Sequence, residues 1–135
     1  MSEIDSRLPA DWFARAEKDF VSARHLLGET ETAFVMPAAM LLQQAVEKYF
    51  KGYLLSRGWK LKRTHDLSEL LDEILPDAPE LARLDVTCIK ITEYYTEQRY
   101  PPLVVSELSK EEVLQSLAEA DELIAAIKRR VAPAK

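Results

Sequence analysis

Glycine, histidine and cysteine are scarce in this chain, and each scarcity removes a class of chemistry. Gly28, Gly52 and Gly58 are the only glycines among 135 residues, too few and too scattered for glycine-rich phosphate loops of the Walker or dinucleotide-binding kind. Cys88 is the only cysteine; it excludes an intrachain disulfide and a thiolate metal cluster and is expected to be a buried structural thiol. His25 and His65 lie far apart, and no Glu-x-x-His pair of the di-iron bundles accompanies them. Neither a metal nor any other cofactor is therefore expected. No apolar run approaches a membrane span, and Met1 to Asp5 lacks the basic and apolar regions of a signal peptide. A cytoplasmic protein with no membrane partner is the expectation. No segment alternates like a half-buried strand, and no two-residue hairpin turn occurs.

What is present is helical. With 47% hydrophobic and 30% charged residues, the chain suits one domain over 1–135 with a real core, and no repeat or linker divides it. The organising element is a helix expected over Pro37 to Arg57, with Pro37 in its first turn and Gly58 just past its end. Its apolar residues fall in two adjoining stripes, so it needs neighbours on more than one side, and a homodimer is expected to supply one of them. Before it, Asp11 is the expected cap of a helix running to about Leu27, with Trp12, Phe13, Ala16, Phe20, Ala23 and Leu27 as its core face. Thr64 or Asp66 caps a short third helix, which buries Leu67, Leu70, Leu71, Ile74 and Leu75 before Pro76 stops it. Pro79 opens a fourth helix reaching about Gln98, where Arg99-Tyr100-Pro101-Pro102 breaks it. Ser109 and Glu112 form a capping box for a last helix ending near Val131. The spacing thus predicts an all-α fold, an antiparallel up-and-down bundle of four longer helices plus one short helix.

Charge is unevenly placed. The formal net charge is −5, yet Lys48 to Arg63 holds six basic residues and no acidic one, leaving −11 on the rest. Such an island can attract a phosphate, or it can be a solvated helix end; the second is the commoner situation. On the central helix, Gln44, Glu47, Lys48 and Lys51 share a sector, read as the helix's remaining polar surface. His65 can bind phosphate or move a proton, or it can be a structural residue bonded to a backbone carbonyl or to Asp66, which the sequence alone favours. Arg99 and Tyr100 stand at the break before Pro101, where an arginine caps carbonyls or grips a phosphate with its planar fork. His25 is given no role.

Three stretches together resemble the signature of the HEPN domain family: Gln43-Gln44-Ala45-Val46-Glu47-Lys48-Tyr49-Phe50-Lys51, then Thr64-His65-Asp66-Leu67, then Arg99-Tyr100-Pro101. The Ala-x-x-Asp-Phe-x-x-Ala pattern at Ala16 to Ala23 is similar to the family's opening, so the resemblance covers nearly the whole chain. It implies a helical homodimer, often paired with a minimal nucleotidyltransferase in toxin–antitoxin systems, in a family that includes metal-independent ribonucleases and nucleotide-binding members. The family's ribonuclease motif sets a histidine shortly after an arginine. Here Arg99 is followed by Tyr100, and Val104, Val105 and Ser106 occupy the places where the histidine is looked for. Arginine stays protonated at neutral pH and cannot serve as the missing base. The resemblance therefore implies a non-catalytic nucleotide- or RNA-binding module. The alternatives are a metal-independent ribonuclease toxin using His65 and Arg99, and a structural scaffold without ligand. The candidate phosphate- or nucleotide-binding residues are Gln44, Lys48, Lys51, Arg63, His65, Arg99 and Tyr100.

Overall fold

The structure, a computed structural model, describes residues 6–29, 34–95 and 108–131. Arg99 and Tyr100, and the expected end of the fourth helix near Gln98, lie outside the described residues. Within them the fold is all α, with no strand. Five α-helices follow in order: α1 Pro9–Leu27, α2 Val35–Ser56, α3 Leu67–Ile74, α4 Asp85–Thr92 and α5 Lys110–Val131; a 3₁₀ helix, Pro79–Leu84, precedes α4.

The helix ends follow local chemistry, with some shifts from expectation. α1 starts two residues before Asp11, because Pro9 fills the first helical position, where no N–H is needed. Asp11 instead accepts a bond from the Ser6 hydroxyl at 2.6 Å. α2 also starts two residues early, at Val35, which still leaves Pro37 in the first turn. At its end, Gly58 adopts φ 90°. The amides of Gly58 and Trp59 reach back to Leu55 O at 3.1 Å and Leu54 O at 3.0 Å, closing the helix with a Schellman motif. Of the two candidate caps for α3, Asp66 takes the role, accepting from Ser68 N at 3.0 Å and Glu69 N at 3.3 Å. Ser109 caps α5 through Glu112 N at 3.0 Å.

The expected fourth long helix is divided. Its start is wound as 3₁₀, and α4 itself spans 8 residues. Leu81 and Leu84 are both buried, and their spacing of three matches the 3₁₀ repeat, so tight winding keeps both on the core. At the other end, Thr92 Oγ1 donates to Cys88 O at 2.7 Å and accepts from Leu67 N at 3.0 Å, tying α4 to the start of α3. Among the described residues, three long helices and two short ones replace the expected four and one.

α2 is the hub. α1 lies along it antiparallel: Trp12 and Phe13 meet Gly52, where an added Cβ would stand 2.8 Å from Phe13 Cε1, while Asp19 meets Lys48. α5 runs antiparallel to α1, joined by Lys110 Nζ to Glu29 O at 3.0 Å at one end and by Lys128 to Glu17 at 3.4 Å at the other. Both apolar stripes of α2 are covered within the chain: Ala38, Ala39, Leu42, Ala45, Val46, Tyr49, Phe50, Tyr53 and Leu54 are all buried. The need for a second neighbour, which suggested a dimer, is thus met by α1 on one flank and α3, α4 and α5 on the others. Each large apolar side chain removed from water contributes about 1.5–3 kcal/mol, so this helix anchors the core.

Candidate functional site

Four polar residues of α2 are inside the protein, not on its surface. Gln43 is 0% exposed, Lys51 2%, Glu47 8% and Lys48 9%. Burying a charge is costly unless it is paired, and each of these is. Lys48 Nζ lies 2.5 Å from Asp19 Oδ2 of α1. Lys51 Nζ donates to Glu47 Oε2 at 2.8 Å, and its ammonium stands 5.8 Å from the centre of the Trp12 ring. Gln43 Nε2 donates to Glu47 Oε1 at 2.9 Å and to the His65 backbone O at 3.3 Å. The ladder Gln43–Glu47–Lys51 follows the i, i+4, i+8 stripe of a helix, with the acid N-terminal to the lysine, the favourable order.

This ladder opens outward at His65, in the connection before α3. Its Nδ1 lies 3.0 and 3.1 Å from the two Glu47 carboxylate oxygens. The imidazole stacks on Tyr95, with ring centres 4.3 Å apart and planes inclined by 21°. The His65 side chain keeps 26% of its surface in solvent. It is neither a free surface group nor a partner of Asp66, whose carboxylate caps α3. Three donors, from Gln43, Lys51 and His65, thus converge on one buried carboxylate. The Gln43 Oε1 atom is buried and lacks a hydrogen-bond partner among the described residues.

The basic island is largely neutralised. Besides Lys48 and Lys51, Arg57 pairs with Asp77 at 3.4 Å and Lys62 with Glu73 at 3.0 Å. The Lys62 hydrogen bond holds the Glu73 carboxyl below the usual carboxylate range. Lys60 and Arg63 are exposed. Acids that are distant in sequence return to this stretch in space.

Of the sequence-derived candidates, the structure brings Lys51 and His65 together through Glu47. Lys48 sits on the α1 side of the helix with Asp19. Gln44 is half-buried, and it is its neighbour Gln43 that enters the ladder. Arg99 and Tyr100 lie outside the described residues. Sequence reasoning placed Glu47 in the polar sector but gave it no role, and it missed Gln43, Asp19 and Tyr95; the four-residue rhythm Gln43–Glu47–Lys51 was the available signal for Gln43 and Glu47. Among the described residues no group of three or more His, Cys, Asp or Glu side chains is placed to hold a metal. No helix among them is long and apolar enough to cross a membrane. A surface depression of about 400 Å³ beside Asp11, Arg15 and Lys18 involves none of the candidate residues.

Comparison with known proteins bears on the family and the fold. A model of the HEPN domain matches residues 9–130. The crystal structure of TT1696 from Thermus thermophilus superposes with a TM-score of 0.76 at 24% identity, over 91% of this chain and 98% of that one; at that identity the likeness is one of fold. No curated protein matches the sequence.

Proposed function

Because this chain belongs to the HEPN domain family, we propose that it is a cytoplasmic, dimeric, non-catalytic module that binds RNA or a nucleotide and partners a minimal nucleotidyltransferase in a toxin–antitoxin pair. The observation that carries the non-catalytic reading is the absence of any histidine after Arg99, which leaves the family's acid–base pair incomplete. In this reading the helices form an up-and-down bundle. The ligand lies across the stacked His65–Tyr95 pair at the outer end of the buried ladder. Tyr95 precedes Arg99 by four residues, a span of at most about 14 Å when extended, so a ligand on that pair is within reach of the arginine. Arg63, two residues before His65, and Tyr100, next to Arg99, are the remaining candidates in the sequence. Lys48 and Lys51, paired with Asp19 and Glu47, act from beneath as counter-charges instead of direct phosphate ligands.

Calorimetry with a short single-stranded RNA tests the site. Affinity should fall as salt rises, and Arg99→Ala should lower it roughly tenfold, the loss of one charge-assisted contact. Equal binding by the two proteins would remove Arg99 from the site. Light scattering at micromolar concentration should report a dimer, and a monomer would sink that part of the reading.

A second reading, a metal-independent ribonuclease working through His65, is favoured by one observation: the carboxylate of Glu47 lies at hydrogen-bond distance from Nδ1, an arrangement that orients an imidazole for proton transfer. RNA incubated in chelator distinguishes the two. Cleavage by the wild type that disappears in His65→Ala establishes the ribonuclease; intact RNA bound by the wild type supports the binding module. A chain that neither binds nor cuts is the ligand-free scaffold.

A further inference from the structure

The connection from Arg57 to Thr64 is held along one edge of α3. Arg57 meets Asp77 at 3.4 Å, Lys62 Nζ donates to Glu73 Oε2 at 3.0 Å, and the Thr64 hydroxyl donates to Glu69 Oε1 at 2.8 Å. Glu69, Glu73 and Asp77 follow one another at intervals of four, the last in the turn beyond α3, so they share one face. The connection therefore runs antiparallel to α3 along an acidic stripe.

Little else holds it. The Trp59 amide reaches Leu54 O at 3.0 Å and its ring packs on the core, but from Lys60 to Thr64 no backbone group bonds to another backbone group among the described residues. Side-chain ties at the surface are individually weak, because water competes for both charges, and a segment held by them alone belongs to the low-stability end of a fold. Lys62 keeps 52% and Glu73 34% of the side chain in solvent, so an outside anion has access to the pair. Lys60, between the two ion pairs in sequence, is exposed and meets no acid among the described residues.

We propose that residues 60–64 form a strap, which Glu73 holds closed by standing in for a phosphate on Lys62 and which single-stranded RNA releases by taking that lysine. A ligand shifts such an equilibrium only by what it gains in one state over the other. Here the gain is Lys62, set against a carboxylate when the strap is closed and free when it is open. Lys60 offers the first contact. The strap ends at Thr64, next to His65, so this inference rests on the RNA-binding reading and deepens it: the proposed site has an internal competitor at its edge.

Glu73→Gln removes the competing charge and keeps the shape of the side chain. In fluorescence anisotropy with a single-stranded RNA of adenine and cytosine, this variant of the full chain should bind about two- to fivefold more tightly than the wild type, the worth of one exposed ion pair. Asp72→Asn is the control, because Asp72 is exposed on the same helix, has no partner among the described residues and loses the same charge. An equal gain in both variants would mean that overall charge alone is at work, and overturns the proposal. A gain that persists when Glu73→Gln is added to Lys62→Gln also overturns it, since no lysine is then left to release. Backbone ¹⁵N relaxation reads the strap without RNA. Order parameters over residues 61–64 should fall from near the rigid value of about 0.85 in the wild type towards about 0.6 in Glu73→Gln, and should stay high in Asp72→Asn. Unchanged order in Glu73→Gln overturns the latch. If none of these proteins binds RNA, the RNA-binding reading and the release by RNA both fall, while order lost only in Glu73→Gln still establishes Glu73 as the group that closes the strap.

Discussion

Cys88 illustrates how surroundings decide a side chain's chemistry. It is fully buried on α4, and burial pushes its thiol up to about 12, with the Asp85 and Asp66 carboxylates adding to the shift. Thiolate is the reactive form, so the folded protein should resist iodoacetamide at pH 8 and react promptly once denatured. Mass spectrometry reads both states, and rapid labelling of the native protein would place Cys88 outside the core. That thiol was legible from sequence, because a lone cysteine at an apolar helix position has few other places to go. The polar residues of α2 were not. Lysine and glutamate are assigned to solvent by default, and a single chain does not announce that Asp19, on another helix, will neutralise Lys48. Gln43 and Gln44 are chemically identical neighbours; only the packing of His65 and Glu47 against one of them tells them apart.

At the scale of elements, the α1–α2 pair is set by one small residue. Gly52 sits fully inside α2, facing Trp12 and Phe13, and an added Cβ would come 2.8 Å from Phe13 Cε1 and 3.1 Å from Trp12 Cβ. Alanine at that position gains up to about 1 kcal/mol of helix propensity, but the Phe13 ring must turn away and Trp12, whose Cβ is tied to the backbone, must shift with α1. Overpacking of this kind costs about 1–3 kcal/mol, so Gly52→Ala should be destabilised on balance, by about 1 kcal/mol, in urea denaturation. A more stable variant would mean that the ring moves freely and that the helices are not in tight contact. Helix existence was readable throughout, since every expected helix has a counterpart in the described residues. The ends were less so: Pro9 opens α1 ahead of Asp11, and the Leu81–Leu84 spacing winds the chain as 3₁₀ where a uniform α pattern was expected. The double stripe of α2 was read correctly as needing several neighbours, but one chain provides them. Dimerisation therefore draws its support from the family and not from an uncovered face of this helix.

Across the whole molecule, excess acid is used to hold elements together. Glu17 of α1 accepts from Tyr49 of α2, and this bond leads the causes that keep its carboxyl below the ordinary value of 4.5. Lys62 does the same for Glu73, the Glu80 backbone amide for its own side chain, aided by Arg130 of α5, and the Thr87 hydroxyl of α4 for Glu119 of α5. All four carboxyls are lowered in the folded state. Unfolding in acid therefore takes up protons, and the contribution of these groups is present above the unfolded-state value and lost as the pH falls through the lower folded-state values. Melting temperature should accordingly hold near neutrality and decline progressively below about pH 4.5. Because these carboxylates are partly exposed, the decline should be gradual and should weaken in salt. Tyr49→Phe separates one of them from the rest: Glu17 loses its principal hydrogen bond, its carboxyl returns towards the ordinary value, and the acid limb of the stability curve becomes shallower. An unchanged acid limb in that variant would mean that the Glu17–Tyr49 contact does not couple α1 to α2 in solution, and that the union of these helices rests on the apolar seam around Gly52 and the Asp19–Lys48 pair.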